Sequence, residues 1–207
     1  MATVNFSRGS RIALAACAAP LVVTLSACGS DAKAPSTSSP SVADVATSSQ
    51  TPASAGCPSA APQAGGTPEW TLPGATGSVA VIGSTDAAAP SVTVTPPFSV
   101  TETQVHTLQA GAGPVVAPTA TVSVCYMGVN GRDGTVFDSS YERGTPVEFP
   151  LTGVVPGFQK AIAGQKVGST VAVAVTSADG YPSGQPSAGI QPGDTLVFAI
   201  KVLDATS

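Results

Sequence analysis

From Ser91 onward, apolar and polar residues alternate over short runs with a period of two, the pattern of strands buried on one face. In Thr121–Met127, Val122, Val124 and Tyr126 fall on one side and Ser123, Cys125 and Met127 on the other. Leu196, Phe198, Ile200 and Val202 repeat the pattern near the C-terminus, as do Val171, Val173 and Val175 in the run before. Gly, Pro and Asp separate these runs, which predicts strands at Ser91–Thr95, Gln104–Gln109, Thr121–Met127, Val147–Leu151, Thr170–Thr176 and Thr195–Leu203. One stretch has helical spacing: Phe158, Ala161 and Ile162 stand at i, i+3 and i+4, and Gly164 follows as a stop. The expected architecture is α+β, a curved antiparallel sheet wrapped around one short α-helix.

The alternation is missing from the first third of the chain, which divides into other segments. Arg8 and Arg11 precede an apolar stretch from Ile12 to Leu25 that contains Pro20, the layout of a secretory signal over residues 1–27. Leu25-Ser26-Ala27-Cys28 resembles a bacterial lipobox, which implies cleavage before Cys28 and acylation of that cysteine. Residues 28–66 are mostly Ser, Ala, Thr, Pro and Gly, too poor in large apolar side chains to offset the entropy of ordering. As a coil such a tether reaches about 30 to 35 Å. Composition changes again near Pro68 and Trp70, so residues 67–97 are read as an extension that adds an edge strand or wraps the outer face, and residues 98–207 as the principal domain.

Of the four cysteines, Cys17 leaves with the signal and Cys28 takes lipid. An exported chain occupies an oxidising compartment, so Cys57 and Cys125 are expected to pair, with two free thiols as the alternative. The net charge of −4 and the scarcity of charged residues offer no basic stripe for nucleic acid. His106 is the single histidine, lies in a predicted strand with no nucleophile motif near it, and is expected at a surface or edge. One histidine and no Cys-x-x-Cys provide no metal cluster. Gly128, Gly131 and Gly134 suit a hairpin better than a phosphate cradle, because no strand-to-helix transition follows them.

The densest motif is Thr135-Val136-Phe137-Asp138-Ser139-Ser140-Tyr141-Glu142-Arg143-Gly144, with Tyr126-Met127-Gly128 before it and Val154-Val155-Pro156-Gly157-Phe158 after it. It suggests an apolar pocket ringed by aromatics, with a buried acid, Asp138, and a basic residue, Arg143, five positions on. Taken singly, a Phe or Val in a strand is ordinary core, and Asp-Ser-Ser is an ordinary turn or cap. In this order, from Phe98 to Asp204, the residues resemble the FKBP-type (macrolide-binding) peptidyl-prolyl cis-trans isomerases.

That resemblance implies a pocket of Tyr126, Phe137, Asp138, Val155, Phe158, Tyr181 and Phe198, with Arg143, Phe149, Val154 and Ile190 contacting substrate. It implies an Asp138 carboxylate paired with Arg143 and the Tyr126 hydroxyl, and a Val155 N–H and Tyr181 O–H that hold carbonyls flanking a proline. The implied partners are proline-containing segments of exported or unfolded proteins and macrolide inhibitors. The implied molecule is a monomer needing no cofactor, held to a membrane through Cys28. Three positions depart from the family pattern: Phe158 stands where tryptophan is commoner, Tyr181-Pro182 where Tyr-Gly is usual, and Val147 where an aromatic is frequent. Replacing tryptophan by Phe keeps an apolar floor but loses area and an N–H, which bears on affinity more than on fold. A binding module that has lost turnover, and a structural surface lipoprotein, are the rival readings.

Overall fold

The computed structural model describes residues 56–62 and 65–207. The proposed signal, the lipidation site Cys28 and most of the tether lie outside the described residues. Among the described residues nine strands form two sheets, joined by two short α-helices. In the first, β1 (Trp70–Pro73), β2 (Thr76–Ile82) and β3 (Ser91–Ser99) pair antiparallel in chain order. The second contains β4 (Gln104–Gln109), β5 (Thr121–Asn130), β6 (Val136–Ser139), β7 (Val147–Pro150), β8 (Thr170–Val175) and β9 (Leu196–Thr206). Its order is β4-β8-β9-β5-β6, and β7 also pairs with β5. The first half of β5 meets β7 and the second half meets β6. The helix α2 (Pro156–Ile162) lies against β8 and β4.

The alternation read from β5 and β9 describes the inner face. Val122 and Val124 of β5, Val171, Val173 and Val175 of β8, and Leu196, Phe198, Ile200 and Val202 of β9 pack on Phe158, Ala161 and Ile162 of α2. Pro156 supplies the preset φ of a first turn, and the helix ends before Gly164, whose φ is +82°. At the crossing, a Cβ on Gly157 would lie 2.2 Å from Val175 Cγ1, so only glycine lets the helix lie this close to β8. One sheet around one short helix is the α+β arrangement expected.

The outer face carries a second apolar layer, the second of the two placements left open for residues 67–97. Ala172 and Ala174 of β8 and Val197 and Ala199 of β9 cluster with Val79, Val81 and Phe98. Small alanines on that face leave room for a sheet to lie flat upon it, and every residue of β8 is buried. The 67–97 segment therefore covers the outer face with a sheet of its own and does not extend the edge of the larger one. His106 lies exposed on the edge strand β4 and stacks on Trp70, with ring centroids 5.7 Å apart and planes 4° from parallel.

A disulfide joins Cys57 to Cys125 with 5.6 Å between Cα atoms, the expected pair. Cys125 faces away from the pocket, as the β5 alternation requires, and both cysteines are buried. The end of the Ser/Pro-rich region is thus docked well before Gly66.

Candidate active site

A cleft of about 400 Å³ opens at the mouth between α2 and the inner face of the sheet, within the range of small-ligand sites. Its walls are Tyr126, Phe137, Asp138, Phe149, Gly153, Val154, Val155, Phe158, Tyr181 and Phe198. Every residue named from sequence as a pocket former lines it, and so do Phe149 and Val154. Arg143 and Ile190 do not. Ile190 is buried in the core behind the cleft, because the Gln185–Ile190 bridge turns it inward. Arg143 sits on the rim and acts through Asp138. Gly153, which sequence reasoning missed, enters through a single 3₁₀ turn at Leu151–Gly153. Its only sequence signal is a glycine two residues after a predicted strand.

Each aromatic is aimed by its element. Phe158 is the floor because it is the first inward position of α2, and it packs edge-to-face on Tyr126, Phe149 and Phe198 at centroid distances of 5.7, 5.4 and 5.2 Å. Phe137, inward-facing on β6, meets Phe198 at 5.6 Å and 87°. Such perpendicular contacts align ring edges with ring faces and stiffen the wall. Gly128 makes the Phe137 contact possible, since a Cβ there would lie 2.5 Å from Phe137 Cζ and 3.0 Å from Phe198 Cε1.

The polar side of the cleft centres on Asp138. Its Oδ1 accepts from Arg143 Nη1 at 2.5 Å, and its Oδ2 accepts from the Tyr126 hydroxyl. The acid expected to be buried is instead half-exposed, at 39%, with Arg143 at 46%. It stands at the end of β6 where the chain turns into α1 (Ser140–Arg143), capped by the Ser139 hydroxyl. Desolvation is the largest influence on the Asp138 carboxyl and acts upward, but hydrogen bonds from Tyr126 and Arg143 outweigh it and hold the carboxyl below its usual range. Burial, followed by the hydrogen bond to Asp138 and its charge, pushes the Tyr126 phenol up to about 12. Tyr126 therefore stays protonated and its hydroxyl donates a hydrogen bond to Asp138.

On the opposite side, the Val155 carbonyl accepts from Phe158 and Gln159 as the start of α2. Its own N–H has no protein acceptor among the described residues, and Val155 lines the cleft. Tyr181 closes the far wall from a loop that is braced internally: Ser177 Oγ donates to the Tyr181 carbonyl at 3.3 Å and accepts from Gly193 N at 3.1 Å. The same loop is gripped by the β5–β6 hairpin, where Asp194 accepts from buried Asn130 at 2.7 Å and from Arg132 Nε at 3.2 Å. The turn glycines expected to form a hairpin do so, with Gly134 N–H donating to the Asn130 carbonyl. Among the described residues no group of three or more His, Cys, Asp or Glu side chains is arranged to hold a metal.

Residues 113–203 match the family described as FKBP-type peptidyl-prolyl cis-trans isomerase. The matched span begins later than the Phe98 start read from sequence, which leaves β4 and the smaller sheet outside it. Over 101 residues the chain is 40% identical to the FKBP-type 22 kDa peptidyl-prolyl cis-trans isomerase of Escherichia coli (strain K12), covering 49% of this chain and 48% of that protein. Over 98 residues it is 38% identical to a probable FK506-binding protein of Corynebacterium glutamicum, covering 46% of this chain and 80% of that one. The crystal structure of FkpA from Escherichia coli aligns with a TM-score of 0.46 and 34% identity over 50% of this chain and 48% of that one. The chain thus spans about half the length of the Escherichia coli relatives and most of the Corynebacterium one.

Proposed function

The chain belongs to the FKBP-type peptidyl-prolyl cis-trans isomerases, and from that premise we propose that its cleft accelerates rotation about X-Pro bonds in exported or unfolded proteins. The observation that carries this reading is the conjunction, in one cleft, of a closed aromatic wall with an unengaged Val155 N–H. The barrier of about 18 to 20 kcal/mol is amide resonance, so the reaction needs no nucleophile or proton transfer, only surroundings that favour the twisted amide. The floor and walls formed by Phe158, Phe137 and Phe198 would take the proline ring and exclude water from the bond, which disfavours the more polar planar amide. Val155 N–H and Tyr181 O–H would hold the flanking carbonyls. An acceleration of about a million-fold corresponds to roughly 8 kcal/mol, within reach of such positioning.

The reading extends to the rest of the chain. The lipobox-like Leu25–Cys28 and the polar stretch behind it support an exported protein anchored by lipid on Cys28 to the outer face of a bacterial cell membrane. Macrolides that mimic a proline-containing segment would compete for the cleft. The test is the cis-to-trans rate of a short X-Pro-Phe peptide in the cold, where the uncatalysed step takes minutes. Turnover proportional to the full chain and lost on Phe137→Ala supports the isomerase. The departures at Phe158, Val147 and Tyr181-Pro182 favour one rival, a proline-binding module without turnover, which folded protein that binds the peptide at an unchanged rate would establish. For the anchor, a Cys28→Ser chain that still incorporates labelled fatty acid would refute lipidation there.

A further inference from the structure

The segment from Cys57 to Ala89 contributes nothing to the cleft, yet it meets the molecule at the turn that carries Arg143. Cys57 N–H donates to the Gly144 carbonyl at 3.2 Å, one residue past Arg143. Its sulfur, bonded to Cys125, lies 3.4 Å from Ser140 Oγ. That same hydroxyl accepts the Tyr126 N–H at 2.8 Å, so disulfide, serine and the backbone of the cleft tyrosine are contiguous. On the other flank, buried Tyr141 donates to Ser84 Oγ at 2.8 Å. Ala89 completes the apolar cluster of Cys57, Cys125 and Tyr141 and is itself tied back by Ala89 N–H to the Ala60 carbonyl at 2.9 Å.

A single helical turn of four residues cannot hold its own geometry, because nucleation of so short a helix is unfavourable. Its placement comes from what packs on it. Two of its four residues, Ser140 and Tyr141, are buried against the N-terminal segment, and its last residue reaches Asp138. We propose that residues 57–89 are a clasp that sets the position of α1, with Cys57, Ser84 and Tyr141 as positioning residues for the Arg143–Asp138–Tyr126 arrangement at the cleft. The clasp lies outside the span shared with the family, and its effect on turnover rests on reading the cleft as an isomerase site.

The test compares the full oxidised chain with a Cys57→Ser/Cys125→Ser variant by kcat/KM on the X-Pro peptide, each with and without Arg143→Gln, and by the ¹⁵N NMR signal of the Arg143 side chain in the two proteins that retain it. With unfolding curves showing folded protein, opening the clasp is expected to lower kcat/KM about tenfold, the scale of a sub-ångström misplacement. It is expected to cause no further loss where Arg143 is already replaced. An equal loss in both backgrounds would mean general destabilisation and overturn the proposal, as would an unchanged Arg143 signal in the folded variant. Should the double cysteine variant fail to fold, Tyr141→Phe keeps the disulfide and removes only the Ser84 bond; a shifted Arg143 signal supports the clasp and an unshifted one refutes it. If the native chain shows no turnover while its Arg143 signal responds to these changes, the isomerase reading falls and the clasp stands.

Discussion

Replacing Asp138 by Asn tests both the electrostatics and the chemistry of the rim. The substitution keeps an oxygen for the Tyr126 hydroxyl but discharges the partner of Arg143, whose Nη1 lies 2.5 Å from Oδ1. Both side chains are about half exposed, so solvent screens the pair, and its loss at neutral pH is expected to lower stability by about 0.5 to 1 kcal/mol. The effect on kcat/KM is expected to be larger, about tenfold or 1.4 kcal/mol, because Asp138 and Tyr126 both border the cleft and must be held in register. Acid supplies an independent check. The Asp138 carboxyl is held below its ordinary value in the folded state, so its contribution is complete above the unfolded pKa of about 3.9 and disappears as pH falls through the folded value. Other depressed carboxyls, at Asp133 and Asp179, are common to both proteins and cancel in the difference. Urea unfolding at pH 7 and in acid should therefore show the native chain and Asp138→Asn separated in the first condition and converging in the second. A gap that does not change with pH, or a variant with full kcat/KM, would refute the reasoning.

Gly128→Ala places a Cβ 2.5 Å from Phe137 Cζ and is expected to cost about 1 to 3 kcal/mol while weakening proline-peptide binding through a displaced Phe137; unchanged affinity by calorimetry would contradict that geometry. Reducing Cys57–Cys125, which closes a separation of 68 residues, is expected to remove about 4 kcal/mol by releasing unfolded-state entropy, read as a drop in urea midpoint with reductant. Coincident curves would show that the bond constrains nothing. Asp194→Ala leaves the buried Asn130 amide and the Gln191 N–H without their acceptor, and about 1 to 3 kcal/mol of stability is expected to go with it. A loss below about 0.5 kcal/mol, the scale of an ordinary surface change, would remove Asp194 as the anchor of the Tyr181 loop.

What could be read from the chain and what could not divide along the range of the interactions. Strand periodicity in β5, β8 and β9 is local, and it placed Val122, Val124 and Phe198 on the helix side and Cys125 on the other before any contact was known. The pocket residues were implied by the family resemblance that the order of the motifs carries, and the structure lines the cleft with them. The exposure of Asp138 depends on what lies across the cleft, and no spacing carries that information. Ile190 reads as a loop side chain until the Gln185 bridge turns it inward.

The smaller sheet is the most instructive case, because the sequence held the signal that decides between an edge strand and a wrap over the outer face. Val79 and Val81 alternate over β2, and alanines alternate with valines along β8. A strand apolar on both faces must be covered on both. With one helix available for the inner face, the outer one required another layer, and the 67–97 segment was the uncommitted β-rich stretch beside it. The same segment returns through Ser84 and Ala89 to Tyr141 and Cys57. The layer that buries the outer face of β8 and the clasp that steadies Arg143 are thus one continuous piece of chain, and a change that loosens the sheet at Phe98 should be felt at the cleft through α1.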